Sequence, residues 1–361
     1  MEMKKKNGMH LLFLFLIIGL GSMVFVSAAS AEDIDWTYPE LEIDDSLDAM
    51  VIQSEISPMK GESLYQIPTD SVIYHSPKGI TSVFTQDGKQ ILSAVDAEAK
   101  KIPVPSAGLL PATHVHQVPN GADVYTKENI TKVYSDGACI LTVIYDQANS
   151  KKTLAVPSFE GWIEWSNDWS VDEIAQFIAY WDVPSSPSPQ SDSQIFLFNA
   201  IQPTSAPAII QPVLEWNRHT YRDWTGSAWY VPPYQDEGYF STPIDVDVGD
   251  TIKGTMGWNP GNDKWSIVFK DEDTGISTMN VTGCMGYQNL AVFTSLEGYD
   301  VDDDSEVPGD TTFYNMRFKD LNFQNVDIEW LPGVNQNTPL TGLNVEIPNG
   351  IDTWVKLHTA N

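Results

Sequence analysis

Few residues in this 361-residue chain combine the type and the spacing that chemistry needs. Thr113-His114-Val115-His116 sets two histidines two apart, and on an extended strand both rings fall on one face, which suits a transition metal. A metal needs a third ligand, and none stands near in sequence apart from distant acids. A polar strand face or a contact between units is the expectation, with no metal and no cofactor assigned. Asp300-Val301-Asp302-Asp303-Asp304-Ser305-Glu306 is the densest run of carboxylates and offers hard oxygen ligands of the kind Ca²⁺ takes. It lacks the central glycine and distal glutamate of an EF-hand loop, so it reads as a solvated acidic loop. Asp245-Val246-Asp247-Val248-Gly249-Asp250 alternates like an edge strand entering a turn. There is no Gly-x-Ser-x-Gly elbow, His-Glu-x-x-His pair, Walker loop or Cys-x-x-Cys pair. With only His219 and His358 in the C-terminal half, a Ser-His-Asp arrangement has little to work with.

The charge balance removes whole classes of function. Lys+Arg number 20 against Asp+Glu 49, a net charge of −29. Such a surface repels nucleic-acid phosphates and anionic membranes alike, so neither is expected as a partner. At the N-terminus, Lys4-Lys5-Lys6 precede an almost wholly apolar run from Leu11 to Val26, and Ala29-Ser30-Ala31 follow. That is the layout of a secretory signal peptide over residues 1–31, and a secreted or cell-surface protein is expected. Cys139 and Cys284 are too few for a disulfide framework. Asn129-Ile130-Thr131 and Asn280-Val281-Thr282 have the form of glycosylation acceptors.

Among the elements that must position these residues, 32–60 read as an acidic arm with little pattern. Residues 61–157 read as a small β module built on an internal repeat. Ile80-Thr81-Ser82-Val83-Phe84 matches Ile130-Thr131-Lys132-Val133-Tyr134, and Asp87-Gly88 matches Asp136-Gly137. Each copy is a strand, an Asp-Gly hairpin turn and a second strand. From residue 159 to 361 the composition shifts: all tryptophans but Trp36 lie here. Short β-rich runs such as Gln194–Phe198, Ile209–Trp216, Trp265–Lys270 and Thr311–Phe318 alternate with turn clusters, among them Asn259-Pro260-Gly261. The stretch Val171–Ile178 is ambiguous between helix and strand, and Pro184–Pro189 reads as a surface loop. This pattern predicts an all-β chain, a concanavalin-like antiparallel β-sandwich or jelly roll preceded by the small hairpin module.

Four pieces of the second part, in order, carry a resemblance. They are Gln194-Ile195-Phe196-Leu197-Phe198, Ala208-Ile209-Ile210-Gln211, Ser227-Ala228-Trp229-Tyr230 and Val248-Gly249-Asp250-Thr251-Ile252-Lys253. Together they resemble the eqolisins, secreted glutamic peptidases with a β-sandwich fold, over about residues 194–318. In that family a glutamate is general base on water and then acid toward the leaving amine, while a glutamine amide steadies the oxyanion. The resemblance gives the glutamine role to Gln211. Aligning Glu297-Gly298-Tyr299 on the family's Glu-Asp-Phe puts Phe293 at the glutamate's place and Thr294 next to it, and neither takes a proton from water. Glu297 lies on the same strand face as Phe293 but ~13 Å further along.

Two expectations follow. The first is a secreted sandwich whose cleft binds a glycan or an extended polypeptide without cutting it. Trp216, Trp224, Trp229, Tyr230, Tyr234 and Tyr239 would then provide stacking surface. The alternative is an acid-active glutamic endopeptidase using Gln211 with Glu297 or another carboxylate, with residues 61–157 as a propeptide over the cleft.

Overall fold

The computed structural model describes residues 34–41, 57–58, 65–146, 161–188, 190–218, 222–233, 236–282, 285–348 and 353–360. The signal-peptide stretch, Tyr234 and Cys284 lie outside them. Among the described residues there is no α-helix, and the elements are strands with two short 3₁₀ turns. In chain order they begin with β1 (Ser57–Pro58), β2 (Tyr65–Gln66), β3 (Ser71–His75), β4 (Ile80–Phe84) and β5 (Gln90–Val95). Next come β6 (Lys101–Val104), β7 (Gly108–Pro111), β8 (Val115–Val118), β9 (Ala122–Lys127), β10 (Ile130–Ser135) and β11 (Ala138–Tyr145). The second part holds β12 (Trp162–Glu173), β13 (Gln176–Asp182), β14 (Gln194–Pro203), β15 (Ile209–Trp216) and β16 (Trp224–Val231). It continues through β17 (Gly238–Ser241), β18 (Ile244–Val246), β19 (Thr251–Asn259), β20 (Lys264–Asp271) and β21 (Gly275–Thr282). Last are β22 (Gln288–Tyr299), β23 (Thr311–Lys319), β24 (Leu331–Val334), β25 (Asn344–Glu346) and β26 (Trp354–His358). The ambiguous Val171–Ile178 is the end of β12 and the start of β13: its β-branched and aromatic side chains alternate between two faces.

Two large sheets face each other. One runs β25-β26-β23-β13-β19-β20-β21-β9-β10-β11-β3-β4-β5, the other β24-β12-β22-β14-β15-β16-β17-β8, with β18 as its ninth strand beside β16. Between them lies one continuous core, with Phe177, Trp181, Trp265 and Phe269 from the first sheet and Leu197, Leu214 and Tyr230 from the second. This is the all-β sandwich that the alternating pattern predicts.

The described part of the segment 61–157, residues 65–146, continues both sheets rather than standing free. Its strand β9 pairs in parallel with β21, and β8 pairs in parallel with β17. Both partners would otherwise be open sheet edges, which proteins cover or blunt. The matched sequence segments form β4–β5 and β10–β11. Each carries a register shift at the same place, between Val83 and Phe84 and between Val133 and Tyr134. A parallel ladder between β11 and β3 joins the two meanders. The described part of the acidic arm is tied down by Lys132, whose Nζ donates to the carbonyls of Asp35 at 2.5 Å and Thr37 at 2.7 Å.

Candidate functional site

The outer face of the nine-stranded sheet carries its own apolar cluster, separate from the inter-sheet core. Trp162, Phe196, Phe198, Val213, Trp229, Phe240 and Phe293 belong to it. Strand alternation decides which polar residues share this face. On β15 the register sets Gln211 opposite Trp229, and Glu215 follows on the same side. On β22, Glu297 pairs with Phe196 on one side and Trp162 on the other.

Onto this face the chain lays the β6–β7 hairpin. Lys101 pairs with Pro111 and Val104 with Gly108, leaving Pro105-Ser106-Ala107 as the tip. Val104 is fully buried in the same apolar cluster. At the tip, Gln211 and Glu297 hold opposite ends of a single peptide unit. The Gln211 side-chain Nε2 donates to the Pro105 carbonyl at 2.8 Å, and the Ser106 N–H donates to Glu297 Oε2 at 2.9 Å. The Ser106 hydroxyl also donates to Gln211 Oε1 at 3.2 Å. Ser106 has φ +63°, a left-handed conformation that costs a side-chain-bearing residue roughly 1–2 kcal/mol.

Glu297 is wholly buried, and burial pushes its carboxyl up to about 8, outweighing the smaller downward pulls of Tyr299, the Ser106 N–H and Trp162. The Tyr299 hydroxyl donates to its Oε1 at 2.5 Å. Glu215, the other carboxylate on this face, is differently placed. Arg218 Nη1 lies 2.5 Å from its Oε2, and Trp229 Nε1 donates to its Oε1 at 2.8 Å. The Arg218 guanidinium in turn stacks 3.7 Å from the centroid of Phe240. Glu215 is therefore an ion-paired anchor, and Glu297 is the carboxyl without a cationic partner at this place.

The structure thus brings Gln211 and Glu297 to one peptide, although the strand spacing from Phe293 to Glu297 suggested they would stand too far apart. Phe293 packs edge-on to Trp162 and Trp169 and carries no proton chemistry. Thr294 points to the other side of the strand, where its hydroxyl meets Ser166 at 2.8 Å. The aromatic platform is corrected. Trp216 and Trp224 meet at a tilt with centroids 5.3 Å apart, and Tyr230 and Tyr239 stack at 6.4 Å, all within the inter-sheet core. Alternation explains this, because Tyr230 neighbours Trp229 and so takes the opposite face. Trp229 alone of the five described is on the outer face that the hairpin covers, and there it is buried against Phe240. The hairpin tip and Glu215 carry no mark in the sequence: the tip meets partners more than a hundred positions away, and Glu215 gains its role only when β15 pairs with β16 and Arg218 folds back on it.

His114 and His116 sit elsewhere, at the β8 edge, and the acidic run 300–306 is a capped loop. Asp303 accepts from the Ser305 N–H and Glu306 from the Asp302 N–H.

No protein-family model matches the sequence, and no curated protein does. Among solved structures, the fold is similar to scytalido-glutamic peptidase bound to a transition-state analogue inhibitor, with 14% identity and a TM-score of 0.40, over 56% of this chain and 98% of that one. SCP-B, a member of the eqolisin family of peptidases in complex with the tripeptide Ala-Ile-His, gives the same four values. An alginate lyase from Klebsiella pneumoniae follows at 11% identity and a TM-score of 0.27, over 40% of this chain and 59% of that one. These are weak, fold-level similarities to β-sandwich proteins.

Proposed function

We propose that the chain is an exported glutamic-type endopeptidase held latent by its own β6–β7 hairpin. One observation carries this reading: Gln211 on the carbonyl oxygen and Glu297 on the nitrogen bracket the Pro105–Ser106 peptide unit. Those are the two positions that amide hydrolysis needs. Water adds to the carbonyl carbon while its proton passes to a Glu297 carboxylate, and the Gln211 amide holds the oxyanion that forms. When the C–N bond breaks, the same proton passes from Glu297 to the departing nitrogen, which leaves as an amine. Under the hairpin Glu297 is wholly buried, which disfavours its ionised, basic form. Lifting the hairpin returns solvent and with it the carboxylate.

The hairpin also points to the substrate: a peptide with small or apolar residues such as Val104 and Ala107 flanking the pair that shares the cut bond. The test is cleavage of an unfolded protein by the purified chain between pH 2 and 7, before and after limited proteolysis within residues 101–111. Activity that appears after nicking and disappears in Gln211→Ala and Glu297→Ala supports the reading. No cleavage at any pH, by a nicked and well-folded protein, leaves a peptide-binding cleft whose occupant is its own hairpin.

A further inference from the structure

Away from the cleft, three histidines and two carboxylates from distant parts of the sequence meet in a buried cluster. His75 ends β3, His114 and His116 lead into and lie on β8, Asp96 follows β5, and Glu237 immediately precedes β17. His75, His114, His116 and Glu237 are all buried. Glu237 is central: its Oε2 lies 2.5 Å from His116 Nε2, and its Oε1 lies 2.8 Å from His75 Nε2. The second contact is an ion-pair approach without the alignment of a hydrogen bond, so a ring nitrogen and a carboxylate oxygen converge on one point. The ring of His114 lies 4.2 Å from that of His75, with its Nε2 3.3 Å from Asp96 Oδ2.

The hydrogen bonds behind the cluster select the form of His75 that binds metals. The Thr81 hydroxyl donates to Asp96 Oδ1 at 2.6 Å, so its oxygen is left to accept from His75 Nδ1 at 2.7 Å. A proton on Nδ1 leaves the Nε2 lone pair aimed at Glu237. Ligating histidines are commonly oriented in this way by a partner on the second nitrogen. One donor atom from each of His75, His116 and Glu237 falls within 4.8 Å of the others. That is the width of a coordination sphere with bonds of about 2.0–2.3 Å.

We propose that His75, His116 and Glu237 form a binding site for a zinc-class divalent transition ion, with His114 beside it. Two imidazoles and a carboxylate are a borderline-soft set, which favours zinc over calcium or magnesium. The site is closed by burial, so the ion serves to hold parts together. It fastens β3, β8 and the strand that follows Glu237, and so ties the β3–β8 part of the chain to the sandwich. The expected consequence is stabilisation by the ion, since a ligand that binds only the folded state raises its stability.

The test uses the full mature chain, stripped with a chelator at neutral pH and titrated with Zn²⁺ or Co²⁺. One equivalent per chain, visible Co²⁺ absorption of a four- or five-coordinate ion and a higher melting temperature are expected. His75→Gln, His116→Gln and Glu237→Gln should each weaken binding at least about tenfold. His358→Gln, a change at a half-buried histidine between Asp310 and Glu346, should leave it unchanged. A wild-type chain that takes up no ion overturns the proposal, as do site variants that keep wild-type stoichiometry and affinity. If those variants do not fold, electron paramagnetic resonance of the Cu²⁺-loaded wild type decides. Coupling to two or more imidazole nitrogens supports the site, and its absence refutes it.

Discussion

At the residue scale, Gln211 and Glu297 make separable predictions. Once the hairpin is nicked, Gln211→Ala removes the donor to the oxyanion, and kcat should fall by roughly 10²–10³. Glu297→Gln removes the proton acceptor and should cost roughly 10²–10⁴. Both are read as initial rates on an unfolded substrate, and a variant within threefold of wild type would remove that residue from the mechanism. Glu297 also couples hairpin docking to pH. Its carboxyl is raised to about 8 when covered, against the ordinary carboxylate range when open. Between those values the open state releases a proton that the closed state keeps, so docking weakens as pH rises, by up to about 1.4 kcal/mol per unit. The docked hairpin is most stable below the ordinary carboxylate range, and this contribution is lost by about pH 8. Hydrogen exchange of residues 101–111 should therefore quicken from pH 5 to 8 beyond the intrinsic chemical trend. Glu297→Gln should abolish the excess. Acid alone does not release latency through this residue, which is why cutting the hairpin is the activating step tested.

At the element scale, the β6–β7 hairpin is held by apolar contact as much as by its tip. Val104→Asp would place an unpaired charge in the cluster of Trp162, Phe196 and Trp229, at a cost of several kcal/mol. The expected result is an undocked hairpin and cleavage activity without nicking, with near-ultraviolet circular dichroism reporting whether the sandwich is intact. An intact, undocked and inactive protein would count against latency as the reason for silence. The two Asp-Gly turns offer a matched pair. Gly88 and Gly137 both have positive φ, +82° and +80°. A Cβ on Gly88 would lie 2.3 Å from the Glu40 carbonyl oxygen, whereas at Gly137 nothing comes within 4 Å. Gly137→Ala should cost roughly the 1–2 kcal/mol of left-handed strain. Gly88→Ala should cost more and also detach the arm at residues 34–41. Urea unfolding of the two variants gives the difference, and equal losses would show that the arm contributes nothing.

At the scale of the molecule, the strands were legible in the sequence because alternation and turn residues are local signals. Gln211 was legible through its Ala-Ile-Ile-Gln segment. What brings Glu297 to it was not, because that depends on a hairpin tip nearly two hundred positions earlier. The same holds for His75 and Glu237, which complete the His114–His116 pair only after β3, β8 and β17 have assembled. The aromatic platform failed for the opposite reason: residue type was read without its face. This architecture also limits how latency ends. Because β8 and β9 complete the edges of β17 and β21, removing residues 61–157 as a unit would open both large sheets. Loss is better confined to the hairpin, which pairs only with itself as a two-stranded ladder. A chain cut between Pro105 and Ser106 should therefore stay in one piece under native conditions. Two bands in a denaturing gel and a single peak at the intact position in size exclusion are expected. Fragments that part in native buffer would show that the parallel ladders do not hold the first part to the sandwich. The unit released on activation would then be the larger propeptide.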